Sequence, residues 1–180
     1  MKRKILIISS SLRAGSNSEA LALAFADGAH SAGHTAETVS LKDKNIAFCR
    51  GCLACQQSGR CVIGDDAPAI AEKMKNADVL VFATPVYYYG MSGQLKTMLD
   101  RANQLFSSDY AFRSVYLLMA AAEDELHTPQ GTEAGIRWWA ECFENVHFAG
   151  SVFAGGVTGA GSIKGHPALQ QAYLLGASIK

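Results

Sequence analysis

Seven polar residues lie close together near the start of the chain. Six are short side chains that donate hydrogen bonds and one is an arginine: Ser9, Ser10, Ser11, Arg13, Ser16, Asn17 and Ser18. They follow an apolar run, residues 5–8, and lead into a helical pattern of apolar residues. The N-terminus of a helix offers free N–H groups and a positive dipole end, which suit an anion. Two interpretations of this serine loop (residues 9–18) stay open: it binds a phosphate, or it only caps the helix.

Two common nucleotide-binding fingerprints are missing from the serine loop. It has no G-x-G-x-x-G, so dinucleotide binding through that motif is not supported, and it has no G-K-S/T, so a P-loop is excluded. Hydroxyls and backbone N–H groups remain, and these suit a monophosphate that is held without a metal.

A second distinctive loop, the tyrosine loop (residues 84–93), follows the apolar run at 78–83. It offers flat aromatic surface, and its backbone N–H groups can bind the edge of a ring. The alternative is that the tyrosines cover the core or a subunit interface. A planar ligand with its phosphate at the serine loop and its ring at the tyrosine loop would have the shape of flavin mononucleotide (FMN).

Four of the five cysteines lie in one cysteine segment (residues 43–64). Cys49, Cys52, Cys55 and Cys61 are spaced C-x2-C-x2-C-x5-C. Thiols at this spacing can surround one face of a 4Fe–4S cluster, and the fourth can complete its ligand set. Zinc fits less well, because structural zinc sites usually separate two Cys pairs by a dozen or more residues. The alternative is that the thiols act as small apolar side chains in a segment that covers a ligand or a dimer contact.

Alternating strands and helices must position these loops. The pattern predicts strands near residues 5–8, 35–41, 78–83, 114–121 and 146–157, and helices near 17–31, 66–75, 92–106, 132–145 and 167–179. This alternation predicts an α/β three-layer sandwich around a five-stranded parallel sheet, in the flavodoxin-like order 2-1-3-4-5. Ligands of that fold bind beyond the carboxyl ends of strands one and three, which the serine and tyrosine loops follow. We expect a single domain over residues 1–180, with the cysteine segment as an insertion at about 43–64.

Two later segments are weaker candidates. Residues 121–127 follow the fourth strand and would reach the same edge of the sheet, where His127 is a candidate for proton transfer or substrate anchoring; the alternative is a solvated loop histidine. The glycine loop (residues 155–165) is weak evidence of phosphate binding, since its glycines lack a strand–helix context, and the alternative is a mobile lid or an interface arm.

The composition limits which partners and which cellular compartment we expect. Lys and Arg total 16, as do Asp and Glu, so no basic surface predicts nucleic-acid binding. The apolar runs are too short to span a bilayer, and the N-terminal apolar run is too short for a signal peptide. Five cysteines without an export signal predict a reducing compartment and hence a cytoplasmic location.

Three motifs together resemble one protein family over about the first 105 residues. ISSSLRAGSNS resembles the phosphate loop of the flavodoxin-like NAD(P)H-dependent FMN reductases, and ATPVYYYGMSGQLKTMLDR resembles their flavin-ring loop and the following helix. The cysteine segment is similar to that of the iron–sulfur flavoproteins, a branch of the same family that carries a 4Fe–4S cluster beside FMN. The family commonly has Gly and Pro where this chain has Ser10 and Leu12.

The resemblance implies an oxidoreductase that uses FMN, takes electrons from NAD(P)H and reduces a small quinone, azo, nitro or flavin compound. It places Ser9, Ser11, Arg13, Ser16, Asn17 and Ser18 at the FMN phosphate, and Pro85, Val86, Tyr87, Tyr88, Tyr89 and Gly90 at the ribityl chain and ring. No side chain is assigned a catalytic role, because FMN itself would carry the chemistry. The family typically forms homodimers, or dimers of dimers, in which the partner covers the flavin. Two alternatives remain: an electron carrier with FMN and 4Fe–4S, and a regulatory or binding module without flavin.

Overall fold

A parallel sheet forms the centre of the molecule in the computed structural model, which describes all 180 residues. Its strands are β1 (Lys4–Ser9), β2 (Thr35–Ser40), β3 (Val79–Tyr87), β5 (Ser114–Ala120) and β6 (His147–Ala154), and a two-residue strand, β4 (Gly90–Met91), pairs antiparallel with β3. The parallel strands lie in the order β2-β1-β3-β5-β6. The predicted flavodoxin-like order is therefore confirmed, with β4 as an addition.

Helices cover both faces of the sheet. They are α1 (Asn17–Ser31), α2 (Ala54–Ser58), α3 (Ala67–Asn76), α4 (Gly93–Arg101), which continues into a 3-10 turn (Ala102–Leu105), α5 (Gln130–Glu141) and α6 (Pro167–Ala177). No helix has the length and apolar character needed to span a bilayer.

Alternation along the strands divides the core into two halves. Ile5 and Ile7 of β1 pack with α1 and α6, whereas Leu6 and Ile8 pack with α3, α4 and α5. Successive side chains of a strand point to opposite faces, so an unbroken apolar run is what a strand covered on both sides requires. The three predicted layers follow directly from this pattern.

Strand register brings the loops of interest to one edge of the sheet. Ser9, the last residue of β1, pairs with Ala83, and Pro85 of β3 pairs with Ala120, the last residue of β5. The serine loop, the tyrosine loop and residues 121–127 therefore leave the sheet side by side.

Two elements differ from the sequence prediction. Strand β3 continues past Ala83 to Tyr87 and turns back into β4 through Tyr88 and Tyr89, which both have positive φ (49° and 64°). Such a turn normally contains Asn-Gly, so two tyrosines gave no signal of a hairpin. The short helix α2 was also not predicted, because five residues are too few to show a helical period.

Candidate functional site

A cleft of about 190 Å³ opens at the carboxyl edge of the sheet, between the serine and tyrosine loops. It is lined by residues from four loops that follow β1, β3, β5 and β6: Ser11, Arg13, Ser16, Asn17, Ser18, Pro85, Val86, Tyr87, Ala120, Ala121, Ala122, Val157 and Thr158. The position agrees with the ligand site expected where the strand order reverses between β1 and β3. The cleft thus brings together eight of the twelve residues that the sequence assigned to a flavin.

Ser18 is the clearest sign that this cleft holds a polar ligand. Its side chain is buried, and its Oγ has no hydrogen-bond partner. Leaving a buried hydroxyl unpaired costs about 1–3 kcal/mol. Ser18 also lies in the first turn of α1, where the N–H groups of Asn17 and Ser18 have no carbonyl partner within the helix. An anion oxygen bound here would give these groups the partner that they lack.

The other serines of the loop have different surroundings. Ser16 lines the cleft, and its Oγ caps α1 by accepting a hydrogen bond from the N–H of Glu19 at 3.2 Å. Ser11 lines the cleft, and its Oγ accepts from the N–H of Arg13 at 3.3 Å. Ser9 is buried at the end of β1 and does not line the cleft. The serine loop therefore contains both a helix-capping residue and residues that line the cleft.

Arg13 and Asn17 line the cleft but direct their donors to the glycine loop. The Asn17 Nδ2 donates to the carbonyls of Val157 (3.2 Å) and Gly159 (2.9 Å), and its Oδ1 accepts from the N–H of Ile163 (3.2 Å). The Arg13 Nη1 donates to the carbonyl of Thr158 at 2.8 Å. These bonds hold Val157 and Thr158 against the cleft, so both side chains build its wall in this structure.

The ring side of the cleft is made by the first part of the tyrosine loop. Pro85, Val86 and Tyr87 line it, whereas Tyr88, Tyr89 and Gly90 do not. Tyr88 lies fully exposed at the tip of the hairpin. Ala120, Ala121 and Ala122, from the end of β5 and the loop after it, also line the cleft.

Tyr89 points away from the cleft, toward the loop after β5. Its ring stacks on His127 with centroids 5.4 Å apart, and its hydroxyl donates a long hydrogen bond of 3.5 Å to Glu123. This hydrogen bond and the charge of Glu123 raise the pKa of Tyr89. Gly131 at the start of α5 leaves room for the Tyr89 carbonyl, which would lie 2.4 Å from a Cβ at that position. The hairpin is therefore supported by the loop that follows β5.

Five lining residues were not assigned to the site from the sequence: Ala120, Ala121, Ala122, Val157 and Thr158. A partial signal existed, since residues 121–127 were expected at this edge of the sheet. Val157 and Thr158 lie in the glycine loop, and the sequence contains no sign that Asn17 and Arg13 would fasten that loop to the cleft.

The four cysteines of the cysteine segment line a separate, small cavity of about 20 Å³. Cys49 and Cys52 are exposed, Cys55 is buried and Cys61 is half-buried. The Asn103 Nδ2 donates to the Cys55 Sγ at 3.5 Å. The thiols share one cavity, although no three metal-ligating side chains are arranged to hold a metal ion in this structure.

A buried ion pair anchors the cysteine segment to α4. The Arg101 guanidinium donates to both carboxylate oxygens of Asp65 and to the carbonyls of Ala47 and Ile63. Burial raises the pKa of Asp65, but hydrogen bonds from Arg101 and from the N–H groups of Ala47 and Ala67 outweigh it and lower the pKa below its ordinary value. The hydrogen bond to Asp65 in turn raises the pKa of Arg101.

One N–H group of Arg101 has no hydrogen-bond acceptor. Its Nε is buried and has no hydrogen-bond partner, and Arg101 is among the residues that line the same small cavity as the four cysteines. Four cysteines next to one cationic side chain are a candidate ligand set, but they are not arranged to hold a metal ion in this structure.

Sequence comparison identifies relatives of the chain. Residues 3–134 match the family model described as NADPH-dependent FMN reductase. A putative NAD(P)H-dependent FMN-containing oxidoreductase, YwqN, of Bacillus subtilis is 30% identical over 177 residues, which cover 94% of each chain.

Iron–sulfur flavoproteins match a shorter part of the chain. The iron–sulfur flavoprotein MJ1083 of Methanocaldococcus jannaschii is 38% identical over 102 residues, or 57% of this chain and 53% of that protein. An iron–sulfur flavoprotein of Methanosarcina thermophila is 37% identical over 111 residues, or 62% of this chain and 58% of that protein. The matches thus span little more than half the length of these relatives.

Solved structures share the fold at low sequence identity. An NAD(P)H:quinone oxidoreductase from Methanothermobacter marburgensis superposes with a TM-score of 0.77 at 18% identity, and the match covers 100% of both chains. An azoreductase from Bacillus anthracis superposes with a TM-score of 0.70 at 16% identity, and the match covers 99% of this chain and 100% of that one.

Proposed function

The chain belongs to the NADPH-dependent FMN reductase family, and on that basis we propose that it binds FMN in the cleft and reduces small acceptors with electrons from NADPH or NADH. The observation that carries the proposal is the buried, unpartnered hydroxyl of Ser18 at the start of α1. A phosphate at this point satisfies Ser18 and the free N–H groups of the first helical turn together.

On the phosphate side, the serine loop supplies neutral donors and one nearby charge. Ser18 donates through its hydroxyl, and Ser11 and Ser16 lie beside it on the wall of the cleft. Each hydrogen bond contributes about 0.5–1.5 kcal/mol, and bonds to a charged acceptor contribute more. Arg13 adds a positive charge at the rim while its Nη1 holds the glycine loop.

On the ring side, the residues position a planar group rather than react with it. Pro85, Val86 and Tyr87 line the cleft together with Ala120, Ala121 and Ala122. Bound FMN would supply the capacity to take a hydride from a nicotinamide and to pass electrons to an acceptor. The protein's part is to hold the flavin, orient it and set its electrostatic surroundings, so no catalytic side chain is proposed.

The acceptor proposed is a small quinone, azo, nitro or flavin compound, and the assembly proposed is a homodimer. The shared fold of a quinone oxidoreductase and an azoreductase supports the acceptor classes. Tyr88 is fully exposed beside the cleft, with Tyr87 and Tyr89 about half exposed, and this aromatic surface suits a partner chain. The five free cysteines suit a reducing compartment, which supports a cytoplasmic location.

Flavin titration tests the proposal. Apoprotein should quench the fluorescence of one equivalent of FMN per chain and should bind riboflavin more weakly, because riboflavin lacks the phosphate. The holoprotein should then oxidise NADPH or NADH in the presence of a quinone. A preparation that binds no FMN after incubation with the cofactor would show that the chain is a flavin-free module.

A second candidate function is an electron carrier with FMN and a 4Fe–4S cluster. All four cysteines of the cysteine segment and Arg101, whose Nε is buried without a partner, line one small cavity, and several relatives bear the name iron–sulfur flavoprotein. Anaerobically reconstituted protein should then contain iron and acid-labile sulfide in equal amounts, and Cys55→Ser should lose both while retaining FMN. Protein that takes up neither iron nor sulfide would argue against the carrier.

A further inference from the structure

A buried chain of hydroxyl groups joins the two loops of the cleft. The N–H of Leu95 donates to the Ser92 Oγ at 3.3 Å, the Ser92 Oγ donates to the Ser10 Oγ at 2.9 Å, and the Ser10 Oγ donates to the Ala83 carbonyl at 3.1 Å. Ser10 and Ser92 are both fully buried. Ser10 belongs to the serine loop and Ser92 to the tyrosine loop, so the bond between them crosses from one side of the site to the other.

A branch extends the chain to the ring side of the cleft. The N–H of Ser92 donates to the Thr84 Oγ1 at 3.0 Å, and the Thr84 hydroxyl donates to the Pro85 carbonyl at 2.9 Å. Each of the three hydroxyls therefore donates one bond and accepts at least one. Buried networks that are fully satisfied in this way are rigid, because a missing member leaves its neighbours unpaired in a low dielectric.

The two ends of this network adjoin cleft-lining residues on opposite sides. Ser10 directly precedes Ser11 on the phosphate side, and the backbone N–H of Ser10 also donates to the Ala83 carbonyl at 2.9 Å. Thr84 directly precedes Pro85 on the ring side. Neither Ser10 nor Ser92 lines the cleft, so any effect of their hydroxyls on a ligand is transmitted through neighbouring residues.

We propose that Ser10 and Ser92 are positioning residues that hold the phosphate and ring sides of the cleft at a fixed separation, so that both ends of one FMN bind together. The inference rests on the proposed FMN binding. A ligand gains from a second subsite only when the two subsites are held at the distance that its own length requires. Loss of the Ser10–Ser92 hydrogen bond should therefore reduce the factor by which the protein binds FMN more tightly than riboflavin. This should hold even where the changed residue is far from the phosphate.

The experiment measures the dissociation constants of FMN and riboflavin by fluorescence titration of apoprotein. The variants are Ser10→Ala, Ser92→Ala and the double variant, with Ser40→Ala as a matched control at the end of β2, outside the cleft. We expect the ratio of the riboflavin to the FMN dissociation constant to fall by about threefold or more in each single variant. In the double variant this ratio should fall no further than in the more strongly affected single variant. In Ser40→Ala the ratio should equal that of the parent.

Ser92→Ala is the decisive variant, because Ser92 lies on the ring side. A local role there would weaken FMN and riboflavin equally, and an unchanged ratio in Ser92→Ala would overturn the inference while leaving FMN binding intact. A parent protein that binds no FMN would instead overturn the proposed function. Ser92 also caps α4, so thermal unfolding of each apoprotein is measured alongside. Ser10→Gly, which removes the same hydroxyl without touching the cap, should lower the ratio as Ser10→Ala does, and failure to do so would also overturn the inference.

Discussion

Ser18 combines burial, an unpartnered hydroxyl and a place in the first turn of a helix. In the apoprotein the Ser18 hydroxyl makes no hydrogen bond to the protein around it, whereas a bound phosphate would accept one from it. The contribution of Ser18 to ligand binding should therefore be separable from its contribution to stability.

Ser18→Ala should weaken FMN binding by about tenfold or more, which corresponds to the loss of one hydrogen bond to a charged acceptor. The free energy of unfolding of the apoprotein should stay the same or rise, because a buried unpaired group is removed. Fluorescence titration and thermal unfolding measure the two quantities, with Ser40→Ala as the control. Equal FMN affinity in Ser18→Ala and the parent would mean that the serine loop serves only as a helix cap.

Arg13 and Asn17 show that residue type alone does not reveal which group a side chain binds. The sequence displays donors next to a helix N-terminus, and it predicted both side chains at a phosphate. Their side-chain donors bind carbonyls of the glycine loop instead, which lies at the other end of the chain. Which acceptor a donor finds depends on tertiary packing, and no local pattern around Asn17 reports it.

Asp65 and Arg101 form the ion pair whose loss should be most costly, because both side chains are buried. Asp65→Asn should lower the free energy of unfolding at neutral pH by about 3–5 kcal/mol, since it leaves the Arg101 charge uncompensated. Asp100→Asn, which removes an exposed partner of Lys96, should cost less than about 1 kcal/mol. Chemical denaturation of the parent and the two variants gives these values.

The Asp65 pair should also be sensitive to acid. The folded protein lowers the pKa of Asp65. The contribution of the ion pair to the free energy of unfolding is therefore complete above the ordinary Asp pKa of about 3.9, and it is lost as the pH falls through the lower pKa that Asp65 has in the folded protein. The stability difference between the parent and Asp65→Asn should thus be constant near neutrality and shrink below about pH 4. A difference that persists unchanged to lower pH would contradict a role for the ionised carboxylate.

At the scale of elements, α1 and α6 cross at two glycines. A Cβ on Gly28 would lie 1.9 Å from the Tyr173 carbonyl oxygen, and a Cβ on Gly176 would lie 2.1 Å from that of Phe25. Both obstacles are backbone atoms, so the helices would have to move apart to admit a methyl group. This close contact holds α6 on the sheet, and the glycine loop connects α6 to β6.

Gly28→Ala should therefore lower the free energy of unfolding by about 1–3 kcal/mol, because overpacking outweighs the gain in helix propensity. Gly93→Ala is the matched control, since Gly93 begins α4 and has nothing within 4 Å of a Cβ. Thermal and chemical unfolding measure both. Equal stability of Gly28→Ala and the parent would mean that the two helices are not held at the separation described.

The sequence predicted the five parallel strands and the first helix well, because their signals are local. Helix α1 runs over the predicted residues 17–31, and β2, β5 and β6 lie within their predicted segments. Strand β1 extends one residue beyond its predicted segment at each end, and β3 continues beyond its segment to Tyr87. The hairpin of β3 and β4 escaped prediction, since its turn places Tyr88 and Tyr89 in a conformation that Asn and Gly favour. The predicted third helix changes into a 3-10 turn after Arg101, a change that hydrophobic spacing does not distinguish from a continuous helix.

For the whole molecule, topology could be predicted because unbroken apolar strands alternate with helices, and topology then fixes which loops meet. The serine and tyrosine loops do border one cleft. The part played by residues 120–122 and by Val157 and Thr158 could not be predicted, because small apolar side chains and a glycine-rich loop have many uses. The cysteine segment illustrates a third case, in which spacing predicts shared metal ligands and the four cysteines line one small cavity without being arranged to hold a metal ion.

The central claim is that the cleft holds FMN and that a nicotinamide reduces it there. The most direct test is an anaerobic absorption titration of FMN-loaded protein with NADPH, repeated with NADH. The account predicts one FMN per chain, whose oxidised absorption bands bleach stoichiometrically with one of the two nicotinamides and return on addition of a quinone. Protein that remains colourless after incubation with FMN, or bound FMN that neither nicotinamide bleaches, would contradict it.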